Sequence, residues 1–312
     1  CHQRVNERDT MSGETIGVIG AGLMGHGIAY LLAAAGHTVR IYDPSEEWRK
    51  TMPERLESAR ALLGGEPALL GRISAHDQMP PAMKGATFVF EAAPEKLPLK
   101  QQLFAELESL TAPETILASN SSAIPSTRIG EKLKHRGRVI GTHFWNPPHL
   151  VPLVEVTQNE FTSAGTVQKT MALLRDAGRR PVHVKKDIPG FVGNRLQHAL
   201  KREAIALVAA GVCDADTIDE VVKSGFGARM AVLGPMEQTD LVGVDLTLDI
   251  QNTLMADLDR STEPTQLIKD KVAQGKLGMR TGEGFRKWTP ESANAVRERL
   301  RQFLAEQAKA KR

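Results

Sequence analysis

Two side chains suited to proton transfer stand close together in the chain. His143 ends the apolar run Arg138-Val139-Ile140-Gly141-Thr142-His143, and Glu155 lies inside Leu153-Val154-Glu155-Val156. Both runs read as strands. Imidazole takes up a proton near neutral pH, and a carboxylate behind it fixes its tautomer and stabilises the imidazolium. Open α/β sheets gather ligands at the carboxyl ends of their strands, which is where His143 falls. One short connection separates the two residues, so their side chains are within reach of each other. Such a pair suits removal of a hydroxyl proton while a hydride leaves the same carbon. Spacing alone leaves a second reading open, in which His143 caps a loop and Glu155 faces solvent.

Further toward the N-terminus, Gly20-Ala21-Gly22-Leu23-Met24-Gly25 fits the pattern G-x-G-x-x-G. It follows the β-branched run Thr15-Ile16-Gly17-Val18-Ile19 and opens a helical pattern over 28–35 closed by Gly36. The first glycine serves a tight turn, the second lets backbone approach a pyrophosphate, and the third lets helix and strand pack closely. Free N–H groups at the helix start suit phosphate oxygens. Thr38-Val39-Arg40-Ile41-Tyr42 reads as the next strand, and Asp43 follows it. A carboxylate there accepts from ribose hydroxyls and repels a 2′-phosphate, which predicts NAD rather than NADP. Arg40 is the neighbour that would soften that preference. The plainer alternative is a glycine turn in an ordinary α/β protein, with Asp43 capping a loop.

Positioning these groups takes a sheet. Strands are expected at 87–90, 115–118, 138–143, 153–156 and 181–184, with a helix from Leu99 to Leu110. Alternation of this kind predicts a parallel, doubly wound Rossmann-type sheet. After Ile188-Pro189-Gly190 a helical period takes over, with Leu196, Leu200, Ala204, Leu207 and Val208 on one stripe. Further helices are expected at 214–224, 235–258 and 263–274. The fold class is therefore an α/β Rossmann-type sheet followed by an all-α C-terminal domain. The expected divisions are an N-terminal extension at 1–13, a dinucleotide domain at 14–188, a helical substrate and dimerisation domain at 189–290, and a charged helical tail at 291–312. The tail carries a thin stripe of Val296, Leu300, Phe303 and Leu304.

Composition narrows the classes. The 312 residues include 40 basic and 37 acidic side chains, a net charge of +3. That near balance argues against a nucleic-acid or membrane-surface binder. The two cysteines, Cys1 and Cys213, form neither a disulfide framework nor a metal spacing, which points to a reducing, cytoplasmic setting and no metal. No apolar run reaches the roughly 20 residues that span a bilayer. Residues 1–10 are polar, without the apolar core of a signal peptide. Met11 reads as a sensible start, with the first ten residues an added or upstream segment.

Several stretches, in order, resemble the short 3-hydroxyacyl-CoA dehydrogenases: GAGLMGHGIA (20–29), EAAPEKLPLK (91–100), ASNSSAIP (118–125), GTHFWNPPHLVPLVEV (141–156), DIPGFVGNRL (187–196), GPMEQTDLVGVD (234–245) and GMRTGEGF (278–285). The resemblance implies a dinucleotide domain, a helical domain that dimerises, and NAD as cofactor. It implies His143 as base and Glu155 as its partner. Ser122 and Asn194 match the donors that hold the substrate oxygen, where an alkoxide develops. Read bare, Ser122 is a loop serine and Asn194 a helix-start residue. Glu95, Lys100, Ser122 and Asn146 match positions bordering the nicotinamide half of the cofactor. Arg280 stands where the family usually has a lysine, and keeps the charge.

Two departures bear on the substrate. Members acting on CoA esters carry a longer helical arm after the second strand, whereas here 46–71 holds one helix and a short second piece. The stretch Ala228-Arg229-Met230-Ala231-Val232-Leu233 before Gly234-Pro235 resembles the branches acting on free acids such as gulonate, carnitine or a pyridine carboxylate. Arg229 is then a candidate carboxylate clamp, or else a surface arginine. His26 is expected on the helix surface. His149 reads as a structural loop histidine, with a substrate-facing role as the alternative; His183 and His198 are assigned to structure, and Arg195 to bracing the domain junction. The leading expectation is oxidation of a small 3-hydroxy acid, as free acid or as the CoA ester of fatty-acid metabolism. The alternatives are oxidation of a hydrated aldehyde on a carboxylated ring, or a non-catalytic, crystallin-like NAD binder.

Overall fold

The structure, a computed structural model, describes residues 13–310; the readings made on Cys1, Met11 and the segment up to residue 12 lie outside the described residues. β1 (Thr15–Ile19), α1 (Leu23–Ala34) and β2 (Thr38–Tyr42) form the expected βαβ unit. α2 (Glu46–Leu63) starts where Ser45 Oγ accepts from Trp48 N, with Glu46 and Glu47 in its first turn, and ends at Gly64 in the left-handed region. A 3-10 turn at Pro67–Arg72 leads to β3 (Ile73–His76), and α3 (Met79–Met83) leads to β4 (Phe88–Glu91). Then come α4 (Leu97–Leu110), β5 (Ile116–Ser119), α5 (Ser126–Ile129), β6 (Val139–Phe144), β7 (Leu153–Thr157), α6 (Ala164–Asp176) and β8 (Arg180–Val184).

The eight strands form one sheet in the order β3-β2-β1-β4-β5-β6-β7-β8. Every residue of β4, β5 and β6 is buried, as expected for strands covered on both faces. One face packs Ile16, Val18, Phe90 and Ile140 against α1 and α2; the other packs Val89, Leu117 and Val139 against α3 and α4.

Three expectations about the fold need correction, and one strand was not expected. The sheet is not wholly parallel, because β7 runs antiparallel to β6. β3 escapes a pattern search because Ile-Ser-Ala-His at a sheet edge shows no run of apolar residues. The helix expected over 235–258 is two helices, broken at Gly243, whose φ is +101°. In the tail, Leu300 and Phe303 are exposed, and Leu304, Ala305 and Ala308 pack on the core instead.

The chain divides into two compact units. Of the described residues, the first holds those up to Asn194 together with those from Leu300; the second is Arg195–Arg299. α7 (Gly193–Ala209), α8 (Ala215–Ser224), α9 (Phe226–Arg229), α10 (Pro235–Val242), α11 (Val244–Leu254), α12 (Gln266–Ala273) and α13 (Pro290–Ala310) make the rest helical. None of α7 to α12 has a buried residue. Among the described residues no helix is long and apolar enough to cross a membrane.

Candidate active site

The glycine turn has the close contacts its sequence predicts. Gly20 has φ +95° and donates to Tyr42 O at 2.7 Å, tying the turn to the end of β2. A Cβ on Gly25 would lie 1.7 Å from Gly20 O, so nothing larger fits there. A Cβ on Gly22, at the N-cap of α1, would meet no atom within 4 Å. The first turn of α1 has no acidic residue to offset its dipole. Leu23 is exposed beside this open space and Met24 packs partly on the core. Asp43 is buried: one carboxylate oxygen accepts from Ala21 N at 2.7 Å and the other from Ser45 N at 2.8 Å. The carboxylate is thereby fixed across the turn from Gly22. Arg40 donates to Lys84 O at 2.7 Å and is thus held by the α3 end. Open backbone at a helix start, beside a fixed carboxylate, fits a dinucleotide.

The reversed strand builds the second part. In the β6–β7 ladder His143 pairs directly with Glu155, and side chains opposite each other share a face. His143 Nδ1 lies 2.8 Å from Glu155 Oε2, with the residues 4% and 1% exposed. Burial pushes the Glu155 carboxyl up, but bonds from His143, Gly193 N and Val192 N outweigh it and hold it below the usual range. The charged carboxylate assigns the proton to Nδ1 and leaves Nε2 as an acceptor. Glu155 Oε1 accepts from Val192 N and Gly193 N, each at 2.9 Å. Those two N–H groups reach it because Gly190 (φ +75°) and Phe191 (φ +49°) both turn left-handed. For a phenylalanine that conformation is strained. Its ring lies 5.4 Å from the His143 ring, and Trp145 lies equally close.

A third group holds the loop after β5. Glu95 Oε1 accepts from Ser121 Oγ (2.5 Å), Ser122 N (3.1 Å), Ala123 N (2.9 Å) and Ile124 N (3.2 Å). Burial pushes the Glu95 carboxyl up, but these donors and Lys100 bring it below the usual range. Lys100 is 1% exposed, with Nζ 2.6 Å from Glu91 Oε1 and 3.5 Å from Glu95 Oε2. Glu91 is sealed at the end of β4, where its other oxygen accepts from Ser119 Oγ at 2.7 Å. Asn194 Nδ2 donates to Ser122 O at 3.0 Å, so the two expected oxygen-holding residues are adjacent. Asn146 is exposed at the end of β6.

Comparison with known proteins agrees over most of both units. The profile of the 3-hydroxyacyl-CoA dehydrogenase NAD binding domain matches residues 15–188, and that of its C-terminal domain matches 190–288. The chain belongs to the 3-hydroxyacyl-CoA dehydrogenase family. It is an NAD-dependent dehydrogenase. A relative from Mesorhizobium japonicum, 5-formyl-3-hydroxy-2-methylpyridine 4-carboxylate 5-dehydrogenase, is 36% identical over 93% of this chain and 96% of its own. A probable 3-hydroxybutyryl-CoA dehydrogenase from Bacillus subtilis is 38% identical over 86% of this chain and 95% of its own. The crystal structure of a 5-formyl-3-hydroxy-2-methylpyridine 4-carboxylic acid 5-dehydrogenase, described as an NAD+ dependent dismutase, superimposes with a TM-score of 0.90 at 34% identity, covering 96% of this chain and 98% of that one.

Within this member of the family, the first unit brings together the glycine turn, Asp43, Glu95, Lys100, Ser122, His143, Glu155 and Asn194. Arg229, at the end of α9, and Arg280 belong to the second unit, and both are exposed there. His26 is a correction: it is buried, 6% exposed, because α1 is covered on nearly every side, and its Nδ1 lies 2.8 Å from Gly22 O. His149 packs beside His26 and Tyr30, and burial brings its imidazole down to about 4, with His26 and Arg179 adding to the shift. His183 is exposed and bonds Gln158. Glu91 and Phe191 escaped the sequence reading. An acidic residue ending the apolar run Phe88-Val89-Phe90 was a signal for the first; nothing local signals a left-handed phenylalanine.

Proposed function

We propose that this dehydrogenase oxidises a hydroxyl-bearing carbon of a small carboxylated substrate, with His143 as general base. The buried His143–Glu155 pair carries the reading. Glu155 holds the proton on Nδ1, so Nε2 accepts the substrate hydroxyl proton, and the carboxylate stabilises the imidazolium that results. Ser122 and Asn194 hold the substrate oxygen as negative charge grows on it. Gly20, Gly22, Leu23, Met24, Gly25 and Asp43 hold the adenosine and pyrophosphate end of the cofactor, while Glu95, Lys100, Asn146 and Arg280 serve its nicotinamide end. Of these, Lys100 acts from behind Glu95, since it is sealed from solvent. Bound NAD supplies the hydride acceptor.

The favoured substrate is an aldehyde on a carboxylated ring, taken as its hydrate. A gem-diol presents the same H–C–O–H unit as a secondary alcohol, so the same residues serve, and the products are the acid, NADH and a proton. The relatives named for a formylpyridine carboxylate, matched over nearly their whole length, support this. So does the interval between β2 and β3, where α2 is followed only by one 3-10 turn. Arg229 is the proposed clamp for the substrate carboxylate. A 3-hydroxyacyl-CoA ester is the second reading, favoured by the Bacillus subtilis relative. We further propose a homodimer through the helical unit. Leu196, Leu200, Leu241, Leu246 and Leu248 are all exposed on helices with no buried residue, and this density of apolar surface supports the reading.

NADH absorbance with 3-hydroxybutyryl-CoA and with carboxylated aromatic aldehydes, side by side, tests the reading. Turnover of the aldehyde alone is expected; turnover of the thioester alone establishes the second reading. His143→Ala is expected to abolish turnover and to spare NAD binding.

A further inference from the structure

The segment 187–194 is tied down at three places, and two of them lie at groups already described. Val192 N and Gly193 N bond Glu155, and Asn194 Nδ2 bonds Ser122 O. The third tie is Asp187. Its Oδ2 accepts from Thr127 N at 2.8 Å, Ser126 Oγ at 3.0 Å and Thr127 Oγ1 at 3.1 Å. Ser126 and Thr127 open α5, a few residues beyond Ser122. Asp187 therefore joins the loop that carries Ser122 to the segment that carries Asn194.

The tie extends into the sheet. Ser126 Oγ, 1% exposed, also receives Asn159 Nδ2 at 3.0 Å, and the same amide reaches Val139 O at 3.2 Å. Val139 begins β6, the strand that ends at His143. One hydrogen-bonded chain thus runs from the start of β6 through Asn159, Ser126 and Asp187 to the segment bearing Asn194. Asp187 Oδ1 is buried with no partner, and burial pushes its carboxyl up. A carboxylate in that setting costs stability, so fastening the two segments is the benefit the geometry offers.

We propose that Asp187 is a positioning residue for the oxidation. It sets the spacing of Ser122 and Asn194 relative to His143, and it touches neither substrate nor cofactor. The proposal rests on the reading that Ser122 and Asn194 hold the substrate oxygen.

The test is a double-mutant cycle on the full chain, using whichever substrate the side-by-side assay shows to turn over, with kcat, KM and NAD affinity measured for each variant. A displacement of about 1 Å at such a site costs up to about a hundredfold in rate. Asp187→Ala is expected to lower kcat about ten- to a hundredfold and to leave NAD affinity within about twofold, since the glycine turn is not part of the tie. Asp187→Asn, which keeps an oxygen for Thr127 N, is expected to recover most of the rate. Asp187→Ala with Asn194→Ala is expected to be no slower than Asn194→Ala alone, because both act on one contact. If Asp187→Ala fails to fold, Thr127→Val removes one bond of the tie, and a smaller loss of kcat at constant NAD affinity is expected. Losses that multiply in the double variant, or NAD affinity falling in step with kcat, overturn the proposal. Wild-type kcat in both Ser122→Ala and Asn194→Ala overturns the underlying reading, and this inference with it.

Discussion

Glu155→Gln separates what the carboxylate does for His143 from what it does for the backbone. In the wild type one oxygen accepts from His143 Nδ1 and the other from Val192 N and Gly193 N. Glutamine has one oxygen and one NH2, so it satisfies only one side. If the NH2 faces Val192 and Gly193, two part-buried N–H groups lose their acceptor, at up to about 1–3 kcal/mol each. If the NH2 faces His143, only one bond must be rearranged: Nδ1 becomes the acceptor and the proton moves to Nε2. The second arrangement is the cheaper, so the variant is expected to fold with its 190–193 turn intact. Its Nε2 then carries a proton where the substrate needs an acceptor. Replacing the carboxylate behind a catalytic imidazole by an amide costs about ten-thousandfold in kcat in a hydrolytic triad, or about 5 kcal/mol of barrier. A similar fall is expected here. The assay is kcat from NADH absorbance beside NAD affinity from titration and Tm from circular dichroism. A kcat within about tenfold of wild type, with Tm and NAD affinity unchanged, refutes the argument that Glu155 sets the tautomer.

Other variants probe the surroundings. Lys100→Met leaves Glu91 buried without its cation, and a loss of about 3–5 kcal/mol is expected in urea unfolding; a loss below about 1 kcal/mol would mean the bonds that Glu91 accepts from Ser119 Oγ and from Ala93 N (2.7 Å) suffice. His149, held to about 4 against 6.5, binds its proton more readily in the unfolded chain, so stability falls as pH drops from 6.5 toward 4. That one group contributes about 3 kcal/mol of the fall. His149→Gln is expected to flatten the slope in that window, and an unchanged slope assigns it to other groups.

Much of the fold was legible because its signals are local. The glycine turn, the β-branched strands and Asp43 lie within thirty residues, and each element's pattern matches its setting. β3 was illegible because an edge strand of four residues has no face that must be apolar. His26 was misplaced for the opposite reason: α1 is covered on nearly every side, so periodicity says little about which of its residues are buried. In the site, His143 and Glu155 were legible as a pair, because their strands are joined by a short connection. The fastening of the Ser122 loop was not, since Asn194 reaches Ser122 and Asp187 reaches Thr127 across sixty residues or more of chain. Hydrogen bonds between such distant loops leave no periodic trace.

The reversed strand also bears on how such an enzyme changes over time. The ladder pairs Thr142 with Val156, His143 with Glu155 and Phe144 with Val154, all within a single hairpin. Residues 145–152, the tip of that hairpin, lie outside the ladder. The pairing of His143 with Glu155 is therefore set by the two strands, and substitutions in the tip leave it in register. If that pair moves the proton as proposed, a lineage can vary the tip and keep its chemistry.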